Sequence, residues 1–458
     1  MKDSFVQYKA RDHAAVRTQE YLYNQLFPYI GNKRKLLPLI WEAIQRCHPK
    51  RVKQPKDLIT LGDSSVASLL QNDNGIPLFV DFFSGSGVVS RLAKKLGFRV
   101  IANDWEPYSF FYNHAYIEQN KYPKFKELGG IKKTYEYLNS LEGIHGYISE
   151  YYCPWNDKKP DTKKERMFYT HKNGMKIDAL REKIQEWEEK EKISPAEKAI
   201  LLASFVYSAS YVSNTSGVFK GFHNGWGGKT GTALYRILSD IRLVPPILFD
   251  NKQKNKVYQM DAQELAEKLQ RSESLSTQHS TLSTQHSTLS TQKIDIAYLD
   301  PPYNQHPYGS NYHILNTIAL WDKPKINKSI LVKGKKTNKS AIRIDWRTER
   351  RSAYNYKDEA TSALEKLVKA INADHILLSY STDGNMNIKD ILEIFAANGK
   401  LSMVTKSYKR YRVSTPRMSL KPYNVETVLM LDKNKSSEKG IVHKLWNRFK
   451  DEDKWLSS

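Results

Sequence analysis

The stretch Asp300-Pro301-Pro302-Tyr303 decides how the rest of the chain is read. It follows Ile294 to Leu299, an apolar run too short for a helix and closed by prolines, which predicts a fully buried strand. Neither proline can donate a backbone hydrogen bond, so the chain must leave the sheet there. In an open α/β sheet, ligands sit beyond the carboxyl ends of the strands. One carboxylate, one proline carbonyl and one aromatic ring are then held on a stiff turn at the expected site. Those groups can grip a planar base with an exocyclic amine: Asp300 and the Pro301 carbonyl accept its two N–H bonds, and Tyr303 stacks on its face. A plain β-turn after a buried strand would use the same residues, and alone they leave both readings open.

The charge narrows the choice. The 458 residues carry 72 Lys and Arg against 49 Asp and Glu, a net +23, which points to a polyanionic partner and less to a membrane surface. No apolar run approaches a membrane span, and the N-terminus lacks an apolar signal region, so a cytoplasmic protein is expected. The two cysteines, Cys47 and Cys153, exclude a disulfide framework and a cysteine-rich zinc site.

A second signal lies upstream. Leu78 to Val80 predicts a short strand, Asp81 to Gly87 a glycine turn, and Val88 to Leu96 a helix. Glycine is needed where a backbone takes positive φ or comes close to a ligand. The next strand, Phe98 to Ala102, ends in Asn103-Asp104-Trp105, where an acidic residue can take ribose hydroxyls and Trp105 or Pro107 can face an adenine ring. The turn lacks the third glycine of the dinucleotide fingerprint and any phosphate-loop lysine, so a nucleoside without pyrophosphate fits better. Near the N-terminus, Tyr29-Ile30-Gly31-Asn32-Lys33 places a lysine beside an aromatic at a turn, which a solvated basic loop would also do. Asp261, at the end of a strand from Val257, suits either an adenine amino group or a helix cap.

The βα rhythm stops after Tyr116. Residues 120–172 show no clear periodicity; one amphipathic helix passes through Ile177, Leu180, Ile184 and Trp187, and Ser194-Pro195-Ala196-Glu197 is a capping box opening an apolar helix to about Val212. The loop at 213–229 interleaves glycines and aromatics with Asn214, Lys220, His223, Asn224 and Lys229. It suits base edges and phosphates, or else a flexible surface loop. The heptad from Ser276 has one leucine among polar residues and predicts a disordered spacer over 271–292, not a coiled coil. Residues 323–351 form a basic run, including Lys335 and Lys336, read as a phosphate-gripping segment. Tyr408, Arg410 and Arg412 alternate ring and charge on an expected hairpin, before a charged tail from Asp432 with a short amphipathic helix.

Together these motifs resemble the adenine-specific DNA methyltransferases of the alpha class, Dam type. Phe83-Ser84-Gly85-Ser86-Gly87 looks like the methyl-donor motif Phe-x-Gly-x-Gly, Asp300-Pro301-Pro302-Tyr303 like the catalytic motif, and Tyr29 to Lys33 like the N-terminal donor-pocket motif. Their order, with a long insertion before the catalytic motif, is that of the class. The resemblance covers most of residues 25–431. It implies a Rossmann-like, S-adenosylmethionine-dependent α/β sheet built from 25–117, 246–270 and 293–431. Residues 118–245 would be a mainly helical inserted target-recognition region, and 1–24 and 432–458 would lie outside the catalytic domain. It implies S-adenosylmethionine held by Tyr29, Lys33, Asp81, Phe83, Gly85, Gly87, Asp104, Trp105 and Asp261. It implies methyl transfer to N6 of a flipped adenine in double-stranded DNA at Asp300, Pro301, Pro302 and Tyr303, without a metal, and a cognate restriction endonuclease as partner. The loop at 213–229, the basic run and the aromatic–basic hairpin would contact DNA. Cytosine N4, or a base in RNA, is the alternative target; Asp300, where the cytosine enzymes usually have serine, favours adenine. A non-catalytic DNA-binding module fits the intact catalytic tetrapeptide poorly, and the missing third glycine disfavours a nicotinamide oxidoreductase.

Overall fold

The computed structural model describes residues 20–48, 75–228, 231, 233–276, 293–332, 335–381, 384–409 and 423–455. In chain order the strands are β1 (Leu78–Asp81), β2 (Arg99–Asn103), β3 (Lys256–Tyr258), β4 (Ile294–Leu299), the short ribbon β5 (Leu331–Val332) and β6 (Lys335–Lys336), then β7 (Ala373–Ser381), β8 (Lys400–Lys409) and β9 (Tyr423–Asp432). All but the ribbon form one sheet in the order β3-β2-β1-β4-β7-β9-β8. Its strands are parallel except β9, which runs antiparallel to both neighbours.

Period-two side-chain direction explains why the inner strands are apolar throughout. Phe79, Ile296 and Tyr298 enter one core layer; Leu78, Val80, Ala297 and Leu299 enter the other. The first layer is covered by α1 (Leu37–Cys47), α2 (Val88–Lys95) and α3 (Pro107–Asn113), and it extends into the inserted helices α4 (Ile131–Ser140), α5 (Tyr147–Tyr152), α6 (His171–Glu189) and α7 (Pro195–Tyr211). Helix α8 (Leu234–Ile237) follows them. The second layer is covered by α9 (Ala262–Ser276) and, after α10 (Tyr308–Asn311) and α11 (His313–Leu320), by α12 (Ala360–Ala370), α13 (Ile388–Asn398) and α14 (Ile441–Trp455). Strand β1 lies between β2 and β4, so the sheet order reverses there. The register Asp81↔Tyr298 brings the ends of β1 and β4 level.

Three expectations change. Residues 120–172 hold α4 and α5, which local periodicity did not show. Helix α5 is capped from a distance: buried Asp178 on α6 accepts the amides of Ile148 and Ser149 at 2.7 and 2.9 Å. Helix α9 continues to Ser276, so the expected spacer does not begin at 271; residues 277–292 lie outside the described residues. The charged tail is part of the core, since α14 buries Leu445 and Phe449 in the second layer. The capping box at Ser194 forms as expected, with the Ser194 amide on Glu197 Oε2 at 2.8 Å. Among the described residues no helix is long and apolar enough to cross a membrane.

Candidate active site

Asp300 leaves β4 at the point where the sheet order reverses. Its Oδ1 lies 2.8 Å from the Lys33 Nζ. Lys33 opens a single 3₁₀ turn whose start is capped by Asn32. Its side chain is buried, its ammonium also donates to the Gly31 carbonyl at 3.0 Å, and it sits 4.6 Å from the Tyr303 ring centre. Burial pushes the Asp300 carboxyl above the usual range, and the Lys33 charge opposes that rise. Pro301 is buried, and the Tyr303 ring stands edge-on to Tyr380 at 5.0 Å. The turn is clamped from behind: Asn355 Nδ2 donates to the Asn304 carbonyl at 2.6 Å, and the Asn385 amide donates to the Tyr303 carbonyl at 2.8 Å.

The glycine turn after β1 faces this group. Gly85 and Gly87 take φ of +50° and +72°, and the Gly85 amide donates to Asp104 Oδ2 at 2.7 Å. A side chain at Gly85 would begin 2.7 Å from the Tyr29 ring, and one at Gly87 would begin 2.2 Å from Asn113 Oδ1. Asn113 in turn holds the Gly85 carbonyl at 3.1 Å. Asp104 takes the Glu106 amide on its other oxygen, and burial raises its pKa. Asp81 is buried with Ser90 donating to it at 2.6 Å; burial pushes its pKa up to about 7. Asp261 caps α9 by accepting the Gln263 amide at 2.8 Å and also lines the cleft, so its two readings are compatible.

Tyr29, Lys33, Asp81, Phe83, Gly85, Asp104, Trp105, Asp261, Asp300 and Pro302 line one cleft. Gly87, Pro301 and Tyr303 are next to lining residues in the sequence but do not line the cleft. Tyr29 stacks with Tyr308 and Tyr312 at 5.2 and 5.1 Å.

Sequence reasoning missed Glu106, Arg350, Ser352 and Asn355, which also line the cleft. Arg350 belongs to the basic run read as phosphate-gripping, but it is buried and pairs with Asp345 and Glu106. Arg343 is likewise buried, forking onto Asp322 with both distances 2.6 Å. Both arginines are held by ion pairs, and Arg350 also lines the cleft. Asp345 lies within the same run, but Asp322 and Glu106 are 21 and 244 residues away from the arginines they hold. Glu106, desolvated despite Arg350, is pushed up to about 7.

The other candidate residues are spread more widely. Asn214 is fully buried; its side chain donates to the carbonyls of Met167, His223 and Gly225 and accepts the Gly227 amide. It staples the loop, so the expectation that it contacts nucleic acid is corrected. Lys220 and Asn224 are exposed and His223 half-buried. Lys220 donates to His306, in the loop after Tyr303, at 3.1 Å, and Asn224 accepts from Lys339 at 3.1 Å. Lys335 is exposed on β6; Lys336 is on the same strand and Tyr408 near the end of β8. Lys229, Arg410 and Arg412 lie outside the described residues. Among the described residues no cluster of His, Cys, Asp and Glu could hold a metal.

A mostly parallel seven-stranded α/β sheet sets a carboxylate, prolines and aromatics facing a glycine turn across its reversal point, the place where such sheets bind ligands. Comparison with known proteins is more specific. Residues 64–262 and 248–372 match the family of D12 class N6 adenine-specific DNA methyltransferases, and the chain belongs to it. It is similar to the type II methyltransferase M.NlaIII of Neisseria lactamica, 31% identical over 338 residues, covering 73% of this chain and 84% of that protein. It is similar to the modification methylase StsI of Streptococcus sanguinis, 28% identical over 393 residues, and to the type II methyltransferase M.FokI of Planomicrobium okeanokoites, 31% identical over 338 residues. Those alignments cover 84% and 73% of this chain but only 48% and 44% of the two relatives, so the chain spans about half their length.

Proposed function

We propose that this chain is the modification enzyme of a restriction–modification system. It transfers a methyl group from S-adenosylmethionine to N6 of an adenine flipped out of double-stranded DNA, at a site shared with a cognate endonuclease. The observation that carries the reading is the Asp300–Lys33 pair at the reversal point, in the same cleft as Gly85 and Asp104. The domain reading follows: a Rossmann-like methyltransferase sheet, with 118–245 as the target-recognition region.

The residues present suit the donor. The Gly85 backbone lies against the Tyr29 ring with no room for a side chain, as a close-approach cradle requires. Asp104 and Asp261 supply acceptors for ribose hydroxyls and an adenine amine, and Trp105 supplies a ring. When bound, S-adenosylmethionine supplies an electrophilic methyl group on a sulfonium centre.

The protein's own groups do the rest. Extruding the base costs a few kcal/mol, which contacts to DNA must offset. Asp300 and the Pro301 carbonyl accept the two amine hydrogens and draw the nitrogen lone pair out of ring conjugation. Lys33 opposes the rise that burial imposes on the Asp300 pKa. Tyr303 stacks on the flipped base, and the two asparagine clamps fix the turn so that the amine is held in line with the donor.

The test is single-molecule sequencing of DNA from cells expressing the chain, with Asp300→Ala as control. N6-methyladenine in one short motif, absent from the control, is expected. Unmodified DNA with wild-type protein present would overturn the assignment.

A further inference from the structure

We propose that the segment 154–166 is a second DNA-binding element, presenting Trp155 and the exposed Lys158, Lys159 and Lys163 to the duplex beside the target base. The inference rests on the function proposed above and extends it to a segment no motif singled out.

The segment is built into the region around the cleft. Arg166, almost fully buried, donates to the carbonyls of Tyr151, Lys328, Asn338 and Lys339 at 2.9 to 3.3 Å. The Ile330 amide donates to the Lys164 carbonyl at 2.9 Å. Trp226 Nε1, in the 213–229 loop, donates to the Asp157 carbonyl at 2.9 Å. Three stretches distant in sequence are thus stitched into one surface. The middle stretch reaches the catalytic turn through Lys220 and His306.

The acids of the segment accept backbone amides, Asp157 that of His171, Asp161 that of Lys163, and Glu165 those of Trp155 and Asp161, and exposed Asp161 also pairs with Lys164 at 3.7 Å. Lys158, Lys159 and Lys163 are exposed and make no ion pair among the described residues. Elsewhere many surface lysines have acidic partners, as Lys190 and Lys369 do. Five cationic side chains (Lys158, Lys159, Lys163, Lys164 and Arg166) against three acids (Asp157, Asp161 and Glu165) leave the segment net cationic.

Trp155 is 72% exposed, resting edge-on against His171 at 5.3 Å while Glu165 holds its amide. A large ring left in water beside lysines suits stacking on a base or sugar, with the cations on phosphates.

The experiment compares full-length wild type, a Lys158→Ala/Lys159→Ala/Lys163→Ala variant and Trp155→Ala for binding to a fluorescent duplex at several salt concentrations. Donor binding and thermal melting serve as fold controls. Each phosphate contact contributes about 0.9 to the slope of log K on log salt, so the triple variant is expected to lose about one to three units of slope. Trp155→Ala is expected to weaken binding roughly tenfold with the slope unchanged. Normal wild-type binding with both variants unchanged overturns the surface alone. Wild-type protein that binds no duplex overturns the proposed function and this surface with it. Equal effects on duplex RNA overturn the assignment to DNA.

Discussion

The Lys33 ammonium lies 2.8 Å from the Asp300 carboxylate, joining the N-terminal turn to the end of β4. Burial disfavours the ionised carboxylate, and the lysine is the largest opposing influence. Removing it lets the Asp300 pKa climb further, so less carboxylate is ionised at a given pH. Lys33→Ala should therefore move the acid limb of methyl transfer to higher pH, with part of the lost rate recovered by raising pH. Single-turnover methylation measured across the acid and neutral range checks this; an unmoved limb would separate Lys33 from the chemistry.

Gly85 tests the donor cradle. At φ +50° a side chain is strained by roughly 1–2 kcal/mol, and its first carbon would lie 2.7 Å from the Tyr29 ring. Gly85→Val should abolish donor binding in calorimetry, whereas Asp300→Ala should leave it nearly intact while abolishing transfer. Retained binding in Gly85→Val would move the donor site elsewhere.

Asp81 gives a stability prediction of definite sign. Its folded carboxyl holds a proton up to about pH 7, while the unfolded chain releases it near the ordinary aspartate value of about 4. Between these values the folded state binds more protons, so this group's contribution to stability falls as pH rises. Asp81→Asn should flatten the melting temperature across that window. An unchanged pH dependence would show that Asp81 does not carry it.

Asn355 positions the catalytic turn through the Asn304 carbonyl. Asn355→Ala leaves that carbonyl without its donor, at a cost of about 1–1.5 kcal/mol. The expected result is roughly a tenfold fall in the rate of transfer at saturating donor and DNA. A change confined to donor affinity would make Asn355 only a wall of the cleft.

The parts of this protein legible in its sequence were those fixed by short-range physics. The limits of β4 follow from an apolar run cut by two prolines, and Gly85 and Gly87 do take positive φ. The cleft residues from Tyr29 to Asp300 converge because strand ends converge in a parallel sheet. What stayed hidden depends on partners far along the chain. Arg350 could not be told from a phosphate-binding arginine because Glu106, which pairs with it, lies far upstream in the chain. Helix α5 was invisible because its cap, Asp178, comes from another helix.

Asn214 separates shape from readout in the 213–229 loop. A side chain that read a base edge would, when removed, relax discrimination at one position of the target site. Asn214 instead is fully buried and satisfies three carbonyls and one amide of the loop and its neighbour. Asn214→Ala strands those groups, at a cost of about 2–4 kcal/mol of loop order. Binding should weaken uniformly for cognate and single-mismatch duplexes, with donor affinity unchanged. Competition binding across a panel of mismatched sites measures it. Loss of discrimination at a single base pair would return Asn214 to the DNA interface and require the loop to open in the complex.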